Sequence, residues 1–247
     1  MSNSTYISTG AYAADYNQVK DLGSATSGTR TADQTDAANF WQGAQGTMTN
    51  VGLWNAVAES IVASQSLSLA DSARLYAALN VALADASIVA MDTKYEVDLW
   101  SPQQAIQNGS ADGNGATVAD PTWTPLQPSL EMPSYFDERG ILGGAATGIL
   151  EQFAGNSYSF LLESDTDGDG NPDLNFNFSS LAAALEQAKN SAVWSGTNFQ
   201  KAADDGAAAG AQIASDVMSN QFAAVPEPAG ALLVLIAGMV GFARRRR

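Results

Sequence analysis

The side chains most often recruited for chemistry at neutral pH are missing from this sequence: its 247 residues include no histidine and no cysteine. Without imidazole, proton transfer falls to carboxylates, Lys or Tyr with strongly shifted pKa values, and the commonest zinc ligand is gone. Without a thiol there is no disulfide framework, no cysteine nucleophile and no thiolate metal site. What the chain does offer is carboxylate. Asp and Glu number 26 against 11 Lys and Arg. Four of those 11 are the terminal Arg244, Arg245, Arg246 and Arg247, so seven basic residues face 26 acidic ones before them, a charge of −19. A surface that acidic repels nucleic acid and anionic lipid. It suits a protein that works in solution outside the cell, or one that gathers cations.

The carboxylates are densest at Asp165-Thr-Asp167-Gly-Asp169-Gly170-Asn-Pro-Asp173. They alternate as in a calcium loop, with Gly170 at the sixth position for the sharp turn and Asp173 at the ninth. The twelfth position, where an EF-hand puts a bidentate Glu, is Phe176. The pattern is closer to the short acidic runs of extracellular calcium modules, which bind weakly, at about 10⁻⁴ to 10⁻³ M. A flexible acidic turn with no fixed ion is the competing reading.

The elements that must position such groups are helical. Thr31-Ala32-Asp33-Gln34 has the form of a capping box and predicts a helix over 31–45. A second is expected over 51–65, where Leu53, Val57, Ile61 and Val62 form one stripe. The strongest opens at Ser68-Leu-Ala-Asp71 and carries Leu75, Leu79, Ala82, Ala86 and Val89 at helical spacing, reaching Met91 or Trp100. Its alanines allow close helix approach. The Gly-, Asp- and Pro-rich segment 108–132 reads as a long surface loop. Helices return over 141–153, 179–189 and 200–222, with a Gly and Asp loop over 165–177. No repeat of fixed period is visible. The expected fold is all-α: a single helical domain over 1–224 with long loops, followed by a C-terminal segment over 225–247.

That segment is Val225-Pro226-Glu227-Pro228, then the uncharged run Ala229 to Ala243, then the four arginines. Fifteen apolar residues are fewer than the roughly 20 that span a bilayer comfortably, but snorkelling arginines lengthen the reach. The cluster Arg244 to Arg247 marks the cytoplasmic side, which leaves everything before Pro226 outside. The layout resembles the PEP-CTERM signal of Gram-negative bacteria. The resemblance implies a transmembrane helix, Pro226-Glu227-Pro228 as the recognition site of an exosortase-type processing enzyme, and removal of the helix after export. An ordinary tail anchor is the alternative. The first thirty residues contain no apolar h-region of a signal peptide, so the two ends disagree; the expectation is a misplaced start or a lost front end.

The order of landmarks along the domain resembles the bacterial vanadium haloperoxidase-like branch of the type 2 phosphatidic acid phosphatase superfamily. The carrying residues are Thr31-Ala-Asp-Gln-Thr35 with Phe40-Trp41, Trp54-Asn55, Leu69-Ala-Asp-Ser-Ala-Arg74-Leu75, Asn80 to Ala86, Asp92-Thr-Lys94-Tyr95 and Trp123-Thr-Pro-Leu126. Further on come Gly143-Gly-Ala-Ala146, Phe178-Ser-Ser180, Gly196, Asp205-Gly206 and Gly210. The resemblance implies a helical bundle of the haloperoxidase and acid phosphatase type. It also implies a site that holds a tetrahedral oxyanion with a Lys, two Arg, a Ser-Gly-His trio and a final His.

In this chain the Lys is Lys94. The first Arg is replaced by Ser101, the trio falls on Asp137, Glu138 and Arg139, the second Arg on Ala192 and the final His on Asn198. Each lost Arg removes a charge-assisted contact of roughly 1.5–3 kcal/mol. Lys94 and Arg139 balance Asp137 and Glu138, so the local charge falls from about +3 in the family pattern to zero. A simpler reading makes Lys94 a solvated lysine or the partner of Asp92 or Glu96, and Arg139 a surface partner of Asp137 and Glu138.

The leading expectation is an exported, surface-sorted pseudoenzyme, passing through the inner membrane to the cell surface. It has no cofactor beyond weak calcium, no vanadate and no nucleic-acid partner. A residual phosphatase or haloperoxidase with a rebuilt site, and a calcium-dependent matrix or adhesion component, are the alternatives.

Overall fold

The computed structural model describes residues 3–43, 47–128 and 132–222. Among them nine α-helices and one hairpin follow in the order α1 (Asn3–Ile7), α2 (Gly10–Leu22), α3 (Ala32–Phe40), α4 (Asn50–Gln65), α5 (Leu69–Val97), α6 (Pro102–Gln107), α7 (Glu138–Ala154), β1 (Phe160–Ser164), β2 (Leu174–Phe178), α8 (Leu181–Trp194) and α9 (Gln200–Asn220). The helical bundle is as expected, and so are its strongest starts. Thr31 and Gln34 form the capping box of α3, and the Ser68 hydroxyl caps α5 by accepting from the Asp71 N–H.

The axis of the bundle is α7. Its residues Arg139 to Thr147 are all buried, and it packs against α4, α5, α8 and α9. The contact with α9 is close because small residues line both sides of the seam. A β-carbon added at Gly144 would sit 2.1 Å from the Ala207 carbonyl oxygen, and one at Gly210 would sit 2.1 Å from the Ile141 carbonyl oxygen. Side chains larger than hydrogen therefore hold these backbones apart. Around this pair lies the main core, with Trp41, Trp54, Leu53, Ile61, Leu75, Leu79, Leu83 and Ile149 fully enclosed. A second cluster at one end joins α2 and α6 through Tyr12, Tyr16, Ile106, Trp123 and Phe199.

The domain is not all-α. Strands β1 and β2 pair antiparallel, with Phe160 opposite Phe178 and Ser164 opposite Leu174. Their inward side chains Phe160, Leu162 and Phe178 complete the core. Phe-Leu-Leu-Glu-Ser and Leu-Asn-Phe-Asn-Phe have the period-2 alternation of strands, and the acidic run between them is their turn. Helices α1 and α2 were also unexpected. Their sequence lacks an aliphatic stripe, and α2 instead buries Tyr12, Ala13, Tyr16 and Val19. The segment 108–132 is more anchored than a surface loop: the Trp123 indole N–H donates to the Lys20 carbonyl at 2.9 Å, and Gln127 is buried.

Among the described residues one stretch, Leu69–Gln107, is long and apolar enough to cross a membrane. It contains α5, whose Leu75, Ala78, Leu79, Ala82, Leu83 and Ala86 are core residues of the bundle. The apolar run Ala229 to Ala243, expected as a transmembrane helix, lies outside the described residues, as does the Pro226-Glu227-Pro228 signal with Arg244 to Arg247.

Candidate functional site

Five positions singled out in the sequence converge on one cleft of about 240 Å³: Lys94, Asp137, Glu138, Arg139 and Asn198. Lys94 comes from the last turn of α5, and its side chain is enclosed by the bundle rather than solvated. It makes no ion pair with Asp92 or Glu96: among the described residues the ion pairs are Lys189 with Glu186 and Asp204, and Lys201 with Asp205.

Asp137 is the N-cap of α7. One carboxylate oxygen accepts the Gly140 N–H at 2.8 Å and the other accepts the Asn198 side-chain amide at 2.7 Å. Two donors on two oxygens are what an ionised carboxylate accepts. An acidic N-cap also answers the unpaired N–H groups of the helix start. Burial pushes the Asp137 carboxyl above the usual range, and Arg139, the Gly140 N–H and Lys94 pull it back down.

Arg139, expected as a surface partner for its acidic neighbours, is buried. Its guanidinium donates to the Ser191 hydroxyl at 2.9 Å, the Ser195 hydroxyl at 3.3 Å and the Gln127 side-chain oxygen at 3.0 Å. Desolvation lowers its pKa, opposed by Asp137 and Glu138. These three partners were not anticipated. The signal was present at the end of α8, where Ser191 and the C-cap Ser195 are buried beside alanines and, while donating to the Ala188 and Ala192 carbonyls, leave their hydroxyl oxygens free to accept.

Ser101 and Ala192 do not line the cleft. Ser101 is the N-cap of α6 in a capping box with Gln104. Ala192 is fully enclosed in α8, and its carbonyl accepts from the Thr197 and Asn198 N–H groups, which fixes the turn that presents Asn198. The cleft gains Asn50, the first residue of α4, and Ser134, whose hydroxyl donates to the Trp100 carbonyl at 2.9 Å. Among the described residues the Oδ1 atoms of Asn50 and Asn198 are enclosed and have no hydrogen-bond partner.

The acidic loop stands apart, at the turn of the hairpin. Carboxylate oxygens of Asp165, Asp167 and Asp173 lie within 4.8 Å of one another. Asp169 is outside this group, and its Oδ1 accepts from the Asn171 N–H at 2.8 Å. Both Asp165 oxygens accept backbone N–H groups, from Gly168 at 2.6 Å and Gly170 at 2.7 Å. Those amides, Gly170 first, hold the Asp165 carboxyl below its usual value.

The fold has known relatives. A bacterial vanadium-dependent iodoperoxidase superposes with a TM-score of 0.68 at 24% identity, over 83% of this chain and 48% of that one. A holo-type bacterial vanadium-dependent chloroperoxidase gives 0.66 at 16% identity, over 84% and 47%. This chain therefore spans about half the length of the solved structures it matches. No curated protein matches it. Residues 74–225 match the family described as the VCPO second helical-bundle domain. That stretch holds α7, α8 and α9 and, apart from Asn50 and Gln42, every residue that lines the cleft. The chain belongs to this family, and its scaffold is of the vanadium haloperoxidase type.

Proposed function

We propose that this protein is a non-catalytic member of the haloperoxidase-type family, exported and sorted to the cell surface. The observation that carries the first part is the state of Arg139. A bound tetrahedral oxyanion needs donors aimed at it, and this guanidinium is already engaged with Ser191, Ser195 and Gln127. The other groups of the cleft suit an anion no better. Asp137 and Glu138 are carboxylates, and the unpaired atoms of Asn50 and Asn198 are acceptors. Lys94 is left as the one cation without a hydrogen-bond or ion-pair partner among the described residues that line the cleft, and it faces the Asp137 carboxylate, so vanadate does not fit the residues present. A rebuilt enzyme using Asp137 as general base is disfavoured as well, because both its oxygens are occupied by structural donors.

The second part rests on the tail. Pro226-Glu227-Pro228, the apolar run and the terminal arginines have the composition of a processed sorting signal, with an exosortase-type enzyme and the inner membrane as partners. In a host with such an enzyme, Pro226→Ala with Pro228→Ala is expected to hold the protein in the membrane fraction while the parent chain is released to the surface. Equal partition of the two would contradict the assignment.

A second reading is favoured by the convergence of Asp165, Asp167 and Asp173. It makes the protein a calcium-dependent component of an extracellular matrix, with these three carboxylates around the ion. Millimolar calcium is then expected to raise the melting temperature by mass action. Asp167→Ala with Asp173→Ala abolishes the rise; a parent chain indifferent to calcium would contradict the reading.

A further inference from the structure

We infer that the cleft between α4, α5, α7 and the α8–α9 turn binds a small zwitterion carrying a primary ammonium and a carboxylate, an amino acid being the type ligand. The inference rests on the proposal that this cleft has ceased to be an oxyanion site, and it says what the same residues now suit.

Counted over the described residues that line it, the cleft is electroneutral but not apolar. Lys94 and Arg139 balance Asp137 and Glu138, and all four line it. The inner pair is satisfied internally: Asp137 by Gly140 and Asn198, Arg139 by Ser191, Ser195 and Gln127. Among the described residues the charges left to meet a ligand are Lys94 and the exposed Glu138, one of each sign. A net anion is repelled by Glu138 and a net cation by Lys94, whereas a ligand with both charges answers both.

The orphaned acceptors supply the second observation. Asn198 is more than nine-tenths buried; its amide nitrogen is spent on Asp137, and its Oδ1 is left without a donor. The orientation is not interchangeable, since turning the amide would set Oδ1 against the Asp137 carboxylate. Asn50, also in the lining, carries a second such oxygen. A buried acceptor without a partner is costly, so a ligand that brings N–H donors recovers that cost on binding. Asn198 is held by its bond to Asp137, whereas the broad χ2 torsion of Asn50 lets that amide turn toward the cleft. A primary ammonium has three donors, and Asn198, Asn50 and Glu138 are three acceptors. Trimethylated ammonium groups have none and would leave both amides unpaired. Among the described residues the lining contains no aromatic ring on which a sugar could stack, only Pro128, Met132 and Pro133 as apolar surface.

The test is a thermal-shift and calorimetric screen of the full chain against the twenty standard amino acids singly, with ethanolamine, propionate, glycerol, inorganic phosphate and orthovanadate as comparison probes. At least one amino acid is expected to raise the melting temperature and the comparison probes are not. Lys94→Met and Glu138→Gln, tested as folded proteins with unchanged far-UV spectra, each weaken that amino acid about tenfold or more, as loss of one charge-assisted contact requires. Silence of all twenty amino acids would overturn the inference while leaving the non-catalytic reading intact if orthovanadate is silent too. Binding of ethanolamine or propionate as strongly as any amino acid would overturn it in favour of a simple ion site. Binding of orthovanadate would instead remove the reading on which it rests.

Discussion

Gly144→Ala and Gly210→Ala are each expected to destabilise the protein by about 3 kcal/mol, the upper end of ordinary overpacking. Both residues lie where α7 and α9 touch backbone to backbone, and each new methyl would meet a carbonyl oxygen 2.1 Å away. A side chain in the way could rotate aside. A helix carbonyl cannot move without its helix, and α9 is held along its length by Ala203, Ala207 and Ala214. Separating the pair also displaces Arg139 and Asp137 at the start of α7, so the cleft deforms with the seam. The two losses share one interface and are not expected to add. Gly10→Ala, with nothing within 4 Å of the new methyl, provides the reference. Urea unfolding midpoints measure all three. Parent-like stability of Gly144→Ala would show that the seam is looser than described.

The second large effect is on catalysis. The full chain is expected to hydrolyse phosphate monoesters, and to oxidise bromide in the presence of orthovanadate and peroxide, no faster than a protein-free control. On the sequence resemblance, Ser101 and Ala192 stand where the family pattern has two arginines, and neither residue lines the cleft. At roughly 1.5–3 kcal/mol per charge-assisted contact, the two together are worth about 3–6 kcal/mol, roughly a hundredfold to ten-thousandfold in affinity. On the same resemblance Asn198 stands in place of the imidazole nucleophile, and an amide is neither base nor nucleophile at neutral pH. Turnover that disappears in Lys94→Ala would contradict this account, because it would place working chemistry in the inherited cleft.

The helical framework was legible in the sequence because its signals are local. Thr31 with Gln34, and Ser68 with Asp71, cap the helices where their side chains predict. The order of landmarks also brought Lys94, Asp137, Glu138, Arg139 and Asn198 together, although they are far apart in the chain. What could not be read was how those groups are satisfied. Neighbours in sequence suggested that Arg139 pairs with Glu138 and Asp137 at the surface. Its hydrogen bonds go instead to Ser191, Ser195 and Gln127, up to 56 residues away. The hairpin escaped notice for a different reason. Its turn is so rich in Gly and Asp that it masked two five-residue strands, whose alternation is short and partly polar. Helix α2 escaped because tyrosine, not leucine, fills its buried face, with the Tyr16 hydroxyl donating to the Val118 carbonyl at 2.8 Å.

On the proposed reading, a cleft of oxyanion-binding ancestry no longer holds an oxyanion. Lys94 remains, but it stands beside two carboxylates and two unpaired amide oxygens, with the nearby guanidinium turned to its own partners. Titration of orthovanadate into the full chain, followed by calorimetry at low ionic strength where anion binding is strongest, tests this directly. The account predicts no saturable heat up to millimolar vanadate; saturation in the micromolar range, abolished by Lys94→Ala, would contradict it.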